Sequence, residues 1–119
     1  RYIVVPGEKH LRLRKYGEPL PRFLEAGALA FSSDYGAIEA MNFFFDKGIR
    51  IPDQISITGY DDSIYASMVR PKLTTVHQDV RQKAHVALKC LMKLIKGERL
   101  EELNIKSPVY LVKRDSVRE

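Results

Sequence analysis

Apolar positions recur along this chain with two different periods, and each change of period marks an expected element boundary. Short apolar or alternating runs bounded by turn residues read as strands: Tyr2-Ile3-Val4-Val5 closed by Pro6-Gly7, then Ala28-Leu29-Ala30-Phe31, then Ile55-Ser56-Ile57-Thr58. Leu73-Thr74-Thr75-Val76-His77 and residues 109–112 read the same way. Gly59 is expected to end the third strand, directly before Tyr60-Asp61-Asp62. Helical spacing marks Ala37, Ile38, Ala40, Met41, Phe44 and Phe45, with Ser33 or Asp34 as the cap and Gly48 as the stop. It returns in Val80, Ala84, Ala87, Leu88, Leu91, Leu94 and Ile95, where Asp79 and Gln82 make a capping-box-like start and Gly97 ends the run.

Two stretches resist this reading. Between 10 and 27, Leu11, Leu13, Leu20, Phe23 and Leu24 could line a helix, but Gly17, Pro19 and Pro21 interrupt it, so only a short helix from about Pro21 to Ala26 is expected. Residues 63–72 carry Ile64, Tyr65, Met68 and Val69 without a clean period and read as irregular. Phe43, Phe44 and Phe45 in a row leave at least one ring off the sheet-facing stripe of their helix, which points either to another subunit or domain or to cover within the same domain.

Strands alternating with helices imply an α/β fold, a parallel sheet flanked by helices and joined by right-handed crossovers. With 119 residues the chain is at most one domain. Arg1 stands in place of an initiator Met and leads straight into an apolar run, so the chain reads as a fragment opening inside a fold. The composition, 45% hydrophobic and 29% charged, is that of an ordinary soluble protein. No apolar run approaches the roughly 18 residues a membrane helix needs, so no membrane partner is expected. The single cysteine, Cys90, lies in a helical pattern; it excludes a disulfide framework and reads as a buried thiol. A net charge of +5 permits an acidic partner, but the basic residues are dispersed and lack the aromatic interleaving of a single-strand binder.

The chemistry concentrates at two strand ends, where Phe31 runs into Ser33-Asp34 and Ile57 into Asp61-Asp62. Neighbouring parallel strands bring such groups to one rim, where α/β sheets hold ligands. A carboxylate accepts hydroxyl protons and a serine hydroxyl both donates and accepts, which suits a neutral polyhydroxylated ligand. Asp61 and Ser33 are the expected ligand groups, while Asp34 is expected to cap the following helix and Asp62 a turn. A second reading places Mg²⁺ among Asp34, Asp61, Asp62 and His77 in a hydrolase or phosphoacceptor domain. No Gly-rich phosphate loop, nucleophile elbow or strand-end lysine completes such a site, so no catalytic residue, metal or cofactor is expected.

Three spaced motifs carry a resemblance. The strand-Ser-Asp with its Ala-rich helix, the run Lys-Gly-Ile-Arg-Ile-Pro-Asp-Gln-Ile-Ser-Ile-Thr-Gly-Tyr-Asp-Asp, and Pro71-Lys72-Leu73-Thr74-Thr75-Val76-His77-Gln78-Asp79 occur in that order. From about Ala28 to Arg114 the chain resembles the sugar-sensing domain of lactose-repressor/galactose-repressor family transcription regulators. The resemblance implies a type I periplasmic-binding-protein-like fold of two α/β subdomains joined by three strands, with a sugar or other small effector between them. It assigns residues 1–77 and 107–114 to the C-terminal subdomain, the helix over 79–97 to the N-terminal one, and 115–119 to a tail. Asp61 matches the family's effector-binding aspartate, Ser33 stands where many members have a longer asparagine, and the resemblance adds Gln78 and Val80, in the crossover into the N-terminal subdomain, to the effector-binding residues. Ile38, Met41, Phe45, Met68 and Val69 match a homodimer interface, with core packing as the competing reading. Operator DNA would be bound through a helix-turn-helix domain outside this chain, in the cytoplasm. A periplasmic sugar-binding protein of a transporter shares the fold and would need an upstream export signal.

Overall fold

The computed structural model describes residue 4 and residues 7–118. The strand expected over 2–5 therefore lies, apart from residue 4, outside the described residues. The least legible stretch holds two helices, α1 (Lys9–Gly17) and α2 (Leu20–Ala26), separated at Glu18 and Pro19. Pro21 is tolerated because it sits in the first turn of α2, where no backbone donor is needed. Gly27 ends α2 in the left-handed region (φ 71°), its N–H reaching back to the carbonyls of Phe23 and Leu24.

The remaining elements are β1 (Ala28–Ala30), α3 (Asp34–Asp46), β2 (Ser56–Asp61), α4 (Ile64–Met68), β3 (Thr74–Gln78), α5 (Val80–Ile95) and β4 (Val109–Val112). The strands form one sheet in the order β1-β2-β3-β4. β1, β2 and β3 run parallel, with Leu29 opposite Ile57 and Thr58 opposite Thr74. β4 departs from the expected all-parallel sheet: it is antiparallel to β3, with Val109 opposite Gln78 and Val112 opposite Thr75. The reason is that α5 does not fold back along the sheet. The chain re-enters at the end where β3 leaves and runs down beside it.

The core lies between α3 and the sheet. Ala37, Ala40 and Phe44 of α3 are fully buried, as are Ile55, Ile57 and Leu73. Burying a side chain the size of Phe44 or Leu73 is worth roughly 1.5–3 kcal/mol, so these residues carry the α3–sheet contact. Gly59 lies inside β2 rather than ending it, and its role is close approach. A Cβ there would run into Asp34 Oδ1 and lie 2.9 Å from Leu73 Cδ2 and 3.2 Å from Asp34 Cα, so only glycine lets the start of α3 sit against β2. The Phe triplet divides by face: Phe44 is buried, Phe43 half-buried against Tyr16, and Phe45 is 79% exposed.

The charged stretch after β4, expected to be a tail from 115 onward, is stitched into the fold. Ser116 is fully buried; its hydroxyl donates to the Ile57 carbonyl (2.6 Å) and accepts from the Thr74 N–H (2.9 Å), and its carbonyl accepts from the Ile57 N–H (2.8 Å). One uncharged residue with both donor and acceptor capacity thus ties β2 to β3 where a charged side chain could not be desolvated.

α5 stands apart. It contains no buried residue, although Leu88, Leu91, Leu94 and Ile95 are all apolar. The molecule is accordingly long, 57 × 29 × 24 Å with a radius of gyration of 17.9 Å, against roughly 13–14 Å for a compact domain of this length.

Candidate functional site

Because β1, β2 and β3 are parallel, Ser33, Asp61-Asp62 and Gln78 all lie at or just beyond the carboxyl ends of adjacent strands. Ser33 is the N-cap of α3, with extended backbone (φ −155°, ψ 152°) and its Oγ accepting from the Gly36 N–H at 3.2 Å. Asp34 is therefore not the cap. It is 1% exposed, and its carboxylate accepts from the Thr75 hydroxyl (2.5 Å) and the Ser63 N–H (2.6 Å). One buried carboxylate on α3 thus fixes both β3 and the loop after β2, which a helix cap could not do. Both its oxygens are occupied.

Asp61 and Asp62 are the described non-glycine residues with positive φ, 122° and 54°. Such backbone costs of order 1–3 kcal/mol per residue and persists only where side chains hold it. Asp62 is held by a guanidinium and an imidazole rather than capping a turn. Its Oδ1 accepts from Arg114 Nη2 at 2.6 Å and its Oδ2 faces His77 Nδ1 at 2.8 Å, while Arg114 Nη1 donates to the Leu73 carbonyl at 2.8 Å. Burial by itself would raise the Asp62 carboxyl, but the hydrogen bonds from Arg114 and then His77 outweigh it and hold it below the usual carboxylate range. His77 in turn stacks on Tyr110 of β4, ring centroids 4.7 Å apart.

Asp61 points elsewhere. Its Oδ1 accepts from Gln78 Nε2 at 2.6 Å, and Gln78 Oε1 accepts from the Lys83 ammonium on α5. Among the described residues its other oxygen has no hydrogen-bond partner, and the residue is half-exposed, so it can accept a hydroxyl from outside. Val80, the first residue of α5, is 59% exposed, and Asp79 caps that helix by accepting from the Gln82 N–H at 2.8 Å.

The magnesium reading fails on this geometry. Asp34 is fully committed to protein donors and Asp62 to Arg114 and His77, and among the described residues no three His, Cys, Asp or Glu side chains cluster to hold a metal. Of the expected interface residues, Met41 is 4% exposed and belongs to the core, because its position on α3 faces the sheet. Ile38 and Val69 are half-buried against the core, whereas Phe45 and Met68 are 79% and 64% exposed. Ile64 and Tyr65 of α4 join them at the surface; without a helical period in 63–72 nothing in the sequence singled them out. Nothing local singles out Arg114, just past β4, or Thr75, inside β3.

Residues 4–117 match the family of periplasmic binding protein-like domains. The probable HTH-type transcriptional repressor ExuR of Bacillus subtilis is 36% identical over 91 residues, which is 76% of this chain and 27% of ExuR, so the chain spans about a quarter of that relative. Among solved structures, the transcriptional regulator CelR–cellobiose complex superposes with a TM-score of 0.82 at 25% identity, covering 94% of this chain and 34% of CelR. The lac repressor dimer bound to operator and the anti-inducer ONPF superposes with a TM-score of 0.75 at 30% identity, covering 88% and 36%. None of the helices among the described residues is long and apolar enough to cross a membrane. The chain belongs to the periplasmic binding protein-like domain family, in its lactose-repressor/galactose-repressor branch.

Proposed function

We propose that this chain is the effector-binding and dimerisation part of a cytoplasmic, non-enzymatic bacterial transcription regulator that senses a sugar or similar polyhydroxylated molecule. The observation that carries the reading is Asp61: a strained backbone at a strand end, a half-exposed carboxylate with one oxygen held by Gln78 and the other without a hydrogen-bond partner among the described residues. Strain retained at a surface position is what a preorganised binding group looks like. Ser33 lies just beyond the same end of the adjacent strand β1 and keeps its hydroxyl proton free to donate while its oxygen caps α3. A neutral sugar, as in the cellobiose complex of CelR, has the chemistry these groups match. The bare apolar stripe of α5 supports its assignment to a second subdomain that closes over the effector. Exposed Phe45 and Met68 support a homodimer through α3 and α4, and paired chains would set the spacing of operator-binding helix-turn-helix heads.

The test is Asp61→Ala in the full-length protein, with binding of cellobiose, galactose, glucose and xylulose followed by calorimetry and release from operator DNA by fluorescence anisotropy. A hydrogen bond to a charged group is worth about 1.5–3 kcal/mol, so affinity should fall about tenfold to a hundredfold or more. Unchanged affinity for the sugar the wild type binds removes Asp61 from the site.

A further inference from the structure

Gln78 is bonded on both sides, and the chemistry of its partners leaves it one orientation. Asp61 Oδ1 can only accept, and the Lys83 ammonium can only donate. A side-chain amide between them must turn its NH₂ to the carboxylate and its carbonyl to the lysine, and glutamine has the reach to do so across the edge from β3 to β2. The three residues come from three elements: Asp61 ends β2, Gln78 ends β3, and Lys83 sits in the first turns of α5. No residue of α5 is buried; Val86, Cys90 and Lys93 are half-buried, beside Leu100 and Ile105 of the segment that follows the helix. Beyond the backbone at Asp79, this hydrogen-bonded chain is the described side-chain link between the helix and the strand ends.

We infer that Lys83, Gln78 and Asp61 form a relay in which Gln78 is a positioning residue for Asp61 rather than a ligand group, so that the tilt of α5 sets the carboxylate that meets the effector. This rests on the reading of Asp61 as the effector contact. The mechanism needs no new contact with ligand. If α5 swings, Lys83 leaves the Gln78 carbonyl, the amide is freed to rotate, and Asp61 loses the donor that offsets its strained backbone. Conversely, an effector that fixes Asp61 favours the α5 position in which the relay is closed, which is the reciprocity that any coupling between two sites requires.

The relay is testable without knowing the effector. In ¹⁵N-resolved NMR spectra of the full-length protein without ligand, Lys83→Met should move both the Gln78 side-chain NH₂ pair and the Asp61 backbone amide. Lys83→Arg, which keeps a donor, should leave both near their wild-type positions. Gln78→Leu should move the Asp61 amide in the same direction as Lys83→Met, and the double variant should move it no further than Gln78→Leu alone, because both break one chain. A perturbation in Lys83→Met that stops at Gln78, or additive shifts in the double variant, overturns the relay. A fold defect is separated from both by the dispersion of the β2 and β3 amides, which Lys83→Met should leave intact. Failure here leaves the sugar-binding test of Asp61→Ala untouched, and failure of that test leaves these shifts readable.

Discussion

The Asp62 carboxylate is pulled in opposite directions by its surroundings. Partial burial favours its neutral form, while Arg114 and His77 favour the anion and prevail, holding the carboxyl low. The folded-state value therefore lies below the unfolded one of about 3.9, so the group adds stability at pH above that value and loses it as pH falls through the lower, folded value. Asp62→Asn should destabilise the protein by about 2–3 kcal/mol near neutral pH, because it leaves the Arg114 guanidinium, 18% exposed, without its anion. The gap between wild type and variant should close as the pH drops below about 4. Urea denaturation from neutral to acid pH measures it, and a pH-independent gap would mean that the ion pair is not the source. This role was not legible in the sequence, and the reason is distance along the chain. The partners of Asp34 lie 29 and 41 positions away and Arg114 lies 52 from Asp62, so local pattern showed carboxylates at strand ends but not which of them were already spent. Asp61 was legible as a strand-end carboxylate because the strand and the acidic turn are contiguous; Gln78 was placed beside it but not recognised as its hydrogen-bond donor.

Elements were readable where their periodicity was strong and local. The limits expected for α3, α5 and β4 match those observed to within a residue or two, since caps, glycine stops and apolar spacing agree there. The direction of β4 was not readable, because it depends on where α5 goes, and no residue in 109–112 records that. Nor was α4, whose five residues are too few to show a helical period. The faces of α3 were half readable. The pattern gave an excess of apolar residues, and only packing divides them into Met41 inside and Phe45 outside. That division sharpens the dimer prediction. Phe45→Glu with Met68→Glu should convert the full-length protein from dimer to monomer in sedimentation velocity, since two charges in an apolar contact are left without partners. Both side chains are more than half exposed in the chain, so its melting temperature as a monomer should hold. A dimer that persists would move the interface elsewhere.

On the scale of the whole molecule, stability is unevenly distributed. The α3–sheet body buries Phe44, Ile55, Ile57 and Leu73 completely and is cross-tied by Asp34 and Ser116, whereas no residue of α5 is more than half-buried. A 16-residue helix is close to the length at which isolated helices are marginal in water, and each large apolar side chain left half in solvent forgoes part of the roughly 1.5–3 kcal/mol that burial supplies. The Asp79 cap adds only about 1 kcal/mol, too little to offset that deficit. Local opening of α5 should therefore be cheap and independent of the body. In the 119-residue chain studied alone, hydrogen exchange followed by mass spectrometry should find the amides of α5 exchanging fastest among the helices, and those of β2 and β3 slowest. In the full-length regulator the same helix should become protected, because a second subdomain would cover Leu88, Leu91, Leu94 and Ile95. Protection of α5 equal to that of β2 in the isolated chain, at a mass showing a monomer, would mean that the helix is held by this body after all and that the two-subdomain assignment of residues 79–97 is wrong.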